Sequence, residues 1–447
     1  MEKHLSLVQA LRLNASRTIA FTGAGGKTTA MFQLARQLPE PVIITATSHL
    51  GAWQTKWADR HIITETSAAL EDLEHGRKGV ILITGEMEGE RTKPINDEVL
   101  QWLHQFCGYH SIPLLIEADG SREKPLKAWA EHEPPIPSSV DLVVQTVGLI
   151  GLGKPLTTEH VHRAELFAKL SGLSSGELVT PAALVRVLKH TEGGLKNIPA
   201  NARRTALLNQ ADTHELQSTA QRLAQSLIPM YDSVIISSLT QQQILAVNEP
   251  IAGVILAAGE STRFGQPKQL LDWKGEPFVR AVAKTALEAG LSPVIVVTGA
   301  NAKKVESVVQ DLDVMVLKNE EWKSGQASSI KTASEALHSR KMNKVGGAIF
   351  LLADQPQLTS SIIRALIEKH AEGLYPVVAP MVLDQRANPV LFDQVTFPDL
   401  LTLEGDVGGR AIFHKHRVEY LPWHDERLLL DVDTPEMYQR LISDESL

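Results

Sequence analysis

The chain has 447 residues, of which 43% are hydrophobic and 21% charged, the make-up of a folded, water-soluble protein long enough for two or three domains. Its formal net charge of -8 excludes a global positive field for nucleic acid or an anionic membrane, and its one cysteine, Cys107, excludes an intrachain disulfide and fits a reducing compartment. The opening "MEKHLSLVQALRLNAS" is too polar for a secretory signal and no run of about 18 apolar residues is free of charge, so a cytoplasmic protein without a membrane span is expected.

Short β-branched runs recur along the first half: "TIAFTG" from Thr18, "PVIITAT" from Pro41, "GVILITG" from Gly79, "PLLIEAD" from Pro113, "DLVVQTVG" from Asp141, "TALLNQAD" from Thr205 and "SVIISS" from Ser233. Several are continuously apolar, as parallel strands covered on both faces are. Segments with helical spacing, such as "KTTAMFQLARQL" and "NDEVLQWLHQFC", separate most of them. Residues 155–200 read as mainly helical, an insertion or cap. The polar "LTQQQILAVNEP" then predicts a linker over 241–250 between domains at 1–240 and 251–447. The second half repeats the alternation with "AGVILAAG", "SPVIVVTG", "DVMVLKN", "GAIFLLAD", "YPVVAPMV" and "VEYLPW". The fold class expected is α/β, with two doubly wound domains.

Each domain opens on a glycine loop suited to phosphate. In "FTGAGGKTT" the complete phosphate-loop pattern would need glycine where Phe21 stands, but a contracted form fits: Gly23, Ala24, Gly25, then Gly26-Lys27-Thr28-Thr29. ATP-dependent Mur-type ligases carry a similar "TGxxGKTT". Strand before and helix after are the context such a loop requires, with ATP or GTP as its nucleotide. Amides from Gly23 to Thr28 would cradle phosphate, Lys27 would reach the terminal phosphate and Thr28 would touch Mg²⁺. The plainer alternative is a glycine-rich helix start without a ligand. "PLLIEADGSREKPLKA" supplies Glu117 and Asp119 at a strand end, and Asp119 is a candidate Mg²⁺ ligand. Asn209 and Asp212 have the spacing of the base-reading Asn-Lys-x-Asp of GTPases, but Gln210 replaces the lysine, and a strand-ending turn is the preferred reading. His160 and His162 alternate in a way that suits no helical zinc pair, and Cys107 reads as packed.

The second loop runs Leu256, Ala257, Ala258, Gly259, Glu260, Ser261, Thr262, Arg263, then Gly265 and Lys268. Glycines permit close backbone approach, successive amides form an anion concavity, and Arg263 and Lys268 add a planar fork and a flexible point charge. Asp354 ends the apolar "GGAIFLLAD" at the carboxyl edge of a sheet, and Asp431 and Asp433 stand in "LLLDVDTPEMY". Asp354 and Asp433 together suit one Mg²⁺ held against substrate phosphates; the alternative for Asp433 is an N-cap ahead of Pro435.

Residues 251 to about 440 resemble the MobA-like nucleotidyltransferases through "LAAGESTRFGQPKQLLDWKGEP", "LLADQP", "RANPVLF", "LEGDVGGRAIF" and "DVDTPE", and among these the molybdenum cofactor cytidylyltransferases most. The resemblance implies a Rossmann-like domain that moves CMP from CTP to Mo-molybdopterin, with Arg263, Lys268, Asp354 and Asp433 catalytic and Mg²⁺ on the two aspartates. GTP-using relatives carry "LAGG", where this chain has Ala257-Ala258-Gly259, and a methyl at 258 would crowd a purine more than a pyrimidine. "RANPVLF" and Gly405–Arg410 would lie towards the pterin. The first half resembles the YqeC family through "GAGGKTT", "EADGSREKPLKA" and "HVHRAELFAKLSG", which implies a nucleotide-binding accessory role towards a molybdenum hydroxylase apoprotein. Two other readings stand beside this one: a nucleotidyltransferase using GTP or a sugar phosphate, and a nucleotide-binding delivery protein without transfer activity.

Overall fold

The computed structural model describes residues 5–13, 17–74, 76–260, 264–339 and 344–443. It divides into two compact units, Met1–Asn248 and Glu249–Leu447. Among the described residues no helix is long and apolar enough to cross a membrane.

In the first unit nine strands form one sheet: β1 (Thr18–Gly23), β2 (Val42–Ala46), β3 (Arg60–Ile63), β4 (Val80–Thr84), β5 (Leu114–Glu117), β6 (Leu142–Gly148), β7 (Arg203–Asn209), β8 (Ser233–Ser238) and β9 (Gln243–Asn248), in the order β9-β8-β7-β6-β1-β5-β2-β4-β3. All pairs are parallel except β8 with β9. The runs β1, β2, β4, β5, β6 and β8 are buried at every residue, which is why they read as predominantly apolar stretches rather than alternating ones. β1 lies between β5 and β6, so the loop leaving it emerges at the carboxyl edge in mid-sheet and enters the helix Lys27–Ala35.

The expected linker is a correction. Gln243–Asn248 pairs with β8 and buries Ile244, Ala246 and Val247. The glutamine triplet makes the hairpin turn, with Gln241 N–H on Ser238 O at 3.1 Å and Gln242 at φ +55°. Polar composition marked a turn here, and the apolar residues just after it found a strand partner.

The second unit carries β10 (Ile251–Ala257), β11 (Val294–Thr298), β12 (Met315–Lys318), β13 (Gly347–Leu352), β14 (Val377–Val382), β15 (Gln385–Arg386), β16 (Val390–Asp393) and β17 (Val418–Pro422). Their order is β12-β11-β10-β13-β16-β14-β15, with β17 on β14. The sheet is mixed: β16 runs antiparallel to both β13 and β14. Its two faces bury separate apolar clusters, one around Ile255, Val282 and Leu351, the other around Val254, Ile330 and Phe392. β10 again sits centrally, between β11 and β13, and its loop leaves at the carboxyl edge.

Candidate functional site

At that edge of the second unit lies a cavity of about 820 Å³ whose wall includes Leu256, Ala257, Ala258, Gly259, Glu260 and Lys268 from the glycine loop. Asp354, two residues past β13, and Asp431 and Asp433, ahead of the helix Pro435–Ser443, line it too, as do the segment Trp322–Gln326 and Asp406. Pairing of β10 with β13 brings Asp354 beside the loop, and the segment almost 80 residues further on is tied to the end of β13 by Gln357 Nε2, which donates to Leu430 O at 2.8 Å, and by Gln355. Lys268 joins the carboxylates: its Nζ lies 2.6 Å from Asp433 Oδ1 and 3.7 Å from Asp354 Oδ2. Burial pushes Asp354 above the usual carboxylate range, the Lys268 ammonium pulls against that, and the nearby Asp431 charge adds to the rise. Asp431 is likewise raised by burial, while Gln355 Nε2 donates to its Oδ1 at 2.8 Å. Gln269, buried beside Lys268, donates to Gly259 O at 3.0 Å and so closes the loop on itself.

The N-cap alternative for Asp433 is settled by geometry. Thr434 Oγ1 accepts from Met437 N–H at 3.3 Å, and the Asp433 carboxylate is on Lys268 instead. Gly265, at φ +75°, stands outside the cavity wall, next to Phe264, which packs against Trp273 and Phe278. Ser261, Thr262 and Arg263 lie outside the described residues.

Hard oxygen donors at Asp354 and Asp433 fit a divalent cation that also takes phosphate oxygens. Among the described residues no cluster of three or more His, Cys, Asp or Glu side chains is arranged as a metal site, so the substrate would have to complete the shell.

In the first unit the loop after β1 is shaped by what touches it. Gly25 sits at φ +78° and Gly26 at φ +122°; a Cβ on the first would come 2.3 Å from Gly148 Cα, and on the second 2.4 Å from Asn209 Nδ2. Asn209 is the brace, donating to Gly25 O at 2.8 Å while its Oδ1 accepts from Leu239 N–H at 3.0 Å. Its place at the end of β7 thus serves the loop, and Asp212 three residues on accepts from Ser238 Oγ. Gly25 to Thr29 line a cavity of about 810 Å³.

Two expectations are corrected here. The amides of Gly23 and Ala24 are already used, the first on the Asp119 carboxylate at 3.0 Å and the second on Thr146 O at 2.9 Å, so only the loop from Gly25 onward is free to meet phosphate. Asp119 does not fit a metal. It accepts from Thr22 Oγ1 (2.7 Å), Gly23 N–H, Lys127 Nζ (2.9 Å) and Trp129 Nε1 (2.7 Å), and Lys27 Nζ stands 3.3 Å away. Burial alone would raise its pKa, but the Lys127 and Lys27 charges outweigh burial and hold it below the usual range. Glu117 is the better metal carboxylate: it accepts from Thr28 Oγ1 at 2.7 Å, and burial raises its pKa. Lys27 itself donates to Gly23 O at 2.7 Å.

Lys127 belongs to a wider buried set that sequence spacing did not reveal. It reaches Gly120 O at 2.8 Å and Glu133 Oε2 at 3.2 Å, and Glu133 is gripped by both guanidinium nitrogens of Arg163. Val161–His162 pairs in parallel with Leu126–Lys127, which brings His162 beside these cations. Burial, then Lys127 and Arg163, lower His162 to about 4, which leaves the half-buried ring neutral. Cys107 is buried, and burial lifts its thiol to about 12, as a packed cysteine should behave.

Comparison with known proteins matches residues 19–165 to the family described as YqeC protein and residues 253–420 to the MobA-like NTP transferase domain. The chain is 34% identical over 202 residues to "Uncharacterized protein YqeC" of Escherichia coli (strain K12), an alignment covering 43% of this chain and 75% of that protein. It is 32% identical over 201 residues to nicotine blue oxidoreductase of Paenarthrobacter nicotinovorans, covering 43% of this chain and 96% of that one. "Probable molybdenum cofactor guanylyltransferase" of Bacillus mycoides (strain KBAB4) is 28% identical over 141 residues, 31% of this chain and 66% of that protein. The chain therefore belongs to the YqeC family through its first half and to the MobA-like NTP transferases, a nucleotidyltransferase family, through its second.

Proposed function

We propose that residues 251–447 transfer CMP from CTP to the terminal phosphate of Mo-molybdopterin, and that residues 1–240 form a nucleotide-binding helper for maturation of a molybdenum hydroxylase apoprotein. The observation that carries the first reading is the Lys268 ammonium seated between Asp433 and Asp354 in the cavity at the end of β10. The molybdenum relation of the Bacillus mycoides relative, expressed in its name, supports the acceptor.

In this reading the amides of the loop from Ala258 to Glu260 bind the triphosphate, with Leu256 and Ala257 at the end of β10 in the wall of the cavity. Lys268, with Arg263, offsets its charge. Asp354 and Asp433 would hold Mg²⁺, which neutralises charge on the phosphate oxygens. The acceptor phosphate oxygen forms the new bond to the α-phosphorus as the bond to the bridging oxygen breaks and pyrophosphate leaves, so positioning and electrostatics supply the catalysis. Lys268 must exchange its carboxylate partners for phosphate, and its flexible stem suits that. Ala258 lines the cavity, where its methyl favours a pyrimidine by about 1–3 kcal/mol.

The test is pyrophosphate release by the purified protein with Mg²⁺ and Mo-molybdopterin, offered CTP, GTP, ATP and UTP in turn. Release with CTP, and only with the pterin present, is expected. Release with GTP instead would overturn the role given to Ala258, and silence with all four would overturn the transferase reading in favour of binding and delivery.

For the first half, the loop from Gly25 to Thr29 would take ATP or GTP, with Thr28 and Glu117 holding the cation. Lys27 would have to exchange Gly23 O and Asp119 for phosphate, as Lys268 exchanges its carboxylates, and Lys27→Ala is then expected to weaken binding of an ATP or GTP analogue at that loop by at least roughly 10²-fold, since a charge-assisted contact to phosphate is lost. Cytidylyl transfer should continue at the unmodified rate. A full-length Lys27→Ala protein that loses transfer would show instead that the two halves act as one.

A further inference from the structure

We propose that the first unit holds a second ligand beside its phosphate loop, a small anionic aromatic molecule seated on Trp53 and on Arg91, Arg122 and Lys124. The cavity that begins at Gly25–Thr29 extends to one side, towards the segments that follow β2, β4 and β5, namely Gly51–Trp57, Gly89–Arg91 and Gly120–Lys124. Thr28 and Glu117 stand on that same side, since Glu117 ends β5. On the nucleotide reading of the loop, on which this step rests, the terminal phosphate therefore faces these three segments, and the space beyond it is left for another molecule.

The chemistry of that space is specific. Arg91, Arg122 and Lys124 line it, against two carboxylates, Glu90 and Glu123, and among the described residues none of the three cations is in an ion pair. Lys27, by contrast, is already engaged with Gly23 O and Asp119. Arg122 and Glu123 are consecutive non-glycine residues in the left-handed region, at φ +50° and +62°. That conformation costs roughly 1–2 kcal/mol per residue, and strain of this kind collects at ligand sites. Guanidinium forks suit a phosphate or carboxylate.

Trp53 supplies the apolar part. It is 49% exposed in the cavity wall, and its ring is held edge-on by Trp57, centroids 5.1 Å apart at 86°. Trp57 in turn meets Phe32 of the loop helix edge-on at 5.4 Å. A braced, half-exposed indole is a stacking platform for a flat ring. Gln54, in the same segment, donates to Thr28 Oγ1 at 3.1 Å, so the platform is tied to the residue that would meet the cation.

The experiment uses the full-length protein and 1-naphthyl phosphate as probe, with binding followed by equilibrium dialysis alone and with saturating Mg²⁺ and a non-hydrolysable ATP analogue. The probe is expected to bind and to stay bound when the analogue is present. Its affinity should fall at least roughly 10-fold in Trp53→Ala and in Arg122→Ala, each with an unchanged melting temperature, as loss of a stacked ring or a guanidinium contact implies. Displacement of the probe by the analogue, equal binding by both variants, or absence of binding would each overturn the proposal. If the analogue fails to bind while the probe keeps its dependence on Trp53 and Arg122, the second site stands and the nucleotide reading of the loop falls.

Discussion

Asp354→Asn is expected to lower nucleotidyl transfer roughly 10³-fold, a loss of about 4 kcal/mol of transition-state stabilisation, with folding stability kept or slightly raised. The substitution preserves shape and removes the charge that would hold the cation and that now faces Lys268. Stability should not suffer, because the folded state already opposes this charge. Burial and the neighbouring Asp431 raise the Asp354 pKa, and a carboxylate whose pKa is raised on folding costs stability at every pH above its unfolded value. Activity lost without stability lost separates a catalytic carboxylate from a structural one. Asp433→Asn should cost less, since its side chain is 65% exposed and water can take over part of its role. Pyrophosphate release paired with thermal melting reads both quantities, and transfer within threefold of the unmodified protein would remove Asp354 from the mechanism.

Asp119→Ala carries the largest expected effect on stability, about 3–5 kcal/mol lost from the first unit. The carboxylate is wholly buried and stands between Lys127 and Lys27, whose side chains are 1% and 3% exposed. Removing it leaves two buried ammonium groups facing each other, with Gly23 N–H unsatisfied and Trp129 Nε1–H left only the longer contact to Thr22 Oγ1 at 3.2 Å. Because the chain has two units, a single unfolding midpoint would blur the effect. Hydrogen exchange of peptides covering β1 and β5 resolves it and should show protection falling there, with β10 and β13 unchanged. The double variant Asp119→Asn with Lys127→Met should recover a good part of the loss, since a pair removed together leaves less charge stranded. Unchanged exchange in Asp119→Ala would mean that the carboxylate is replaceable by water and that Asp119 is open to a metal after all.

The two α/β sheets and both glycine loops were legible in the sequence for one physical reason. A parallel strand covered on both faces is mostly apolar, as β1, β4 and β6 are, and a loop pressed against its neighbours must use glycine, as at Gly25 against the Gly148 backbone and Gly26 against the Asn209 side chain. Both are local requirements, written in consecutive residues. The strands that escaped notice, Arg60–Ile63, Gln243–Asn248 and Val390–Asp393, are short or edge-lying, or set beside proline and glutamine, where local composition favours a turn.

The division of labour within the sites was decided only by the tertiary structure. Glu117 and Asp119 are two residues apart and alike in sequence. Only the order β6-β1-β5, which brings β1 next to β5, shows that Asp119 is consumed by Thr22, Gly23, Lys127 and Trp129 while Glu117 faces Thr28. Asn209 reaches Gly25 across 184 positions and Lys268 reaches Asp433 across 165. A donor's choice of acceptor depends on which strands lie side by side, and that is a property of the packed sheet, which no window of neighbouring residues contains. The sequence by itself determined that this protein has two sheets and two glycine loops; the packing decided which carboxylates and amides the fold has already engaged.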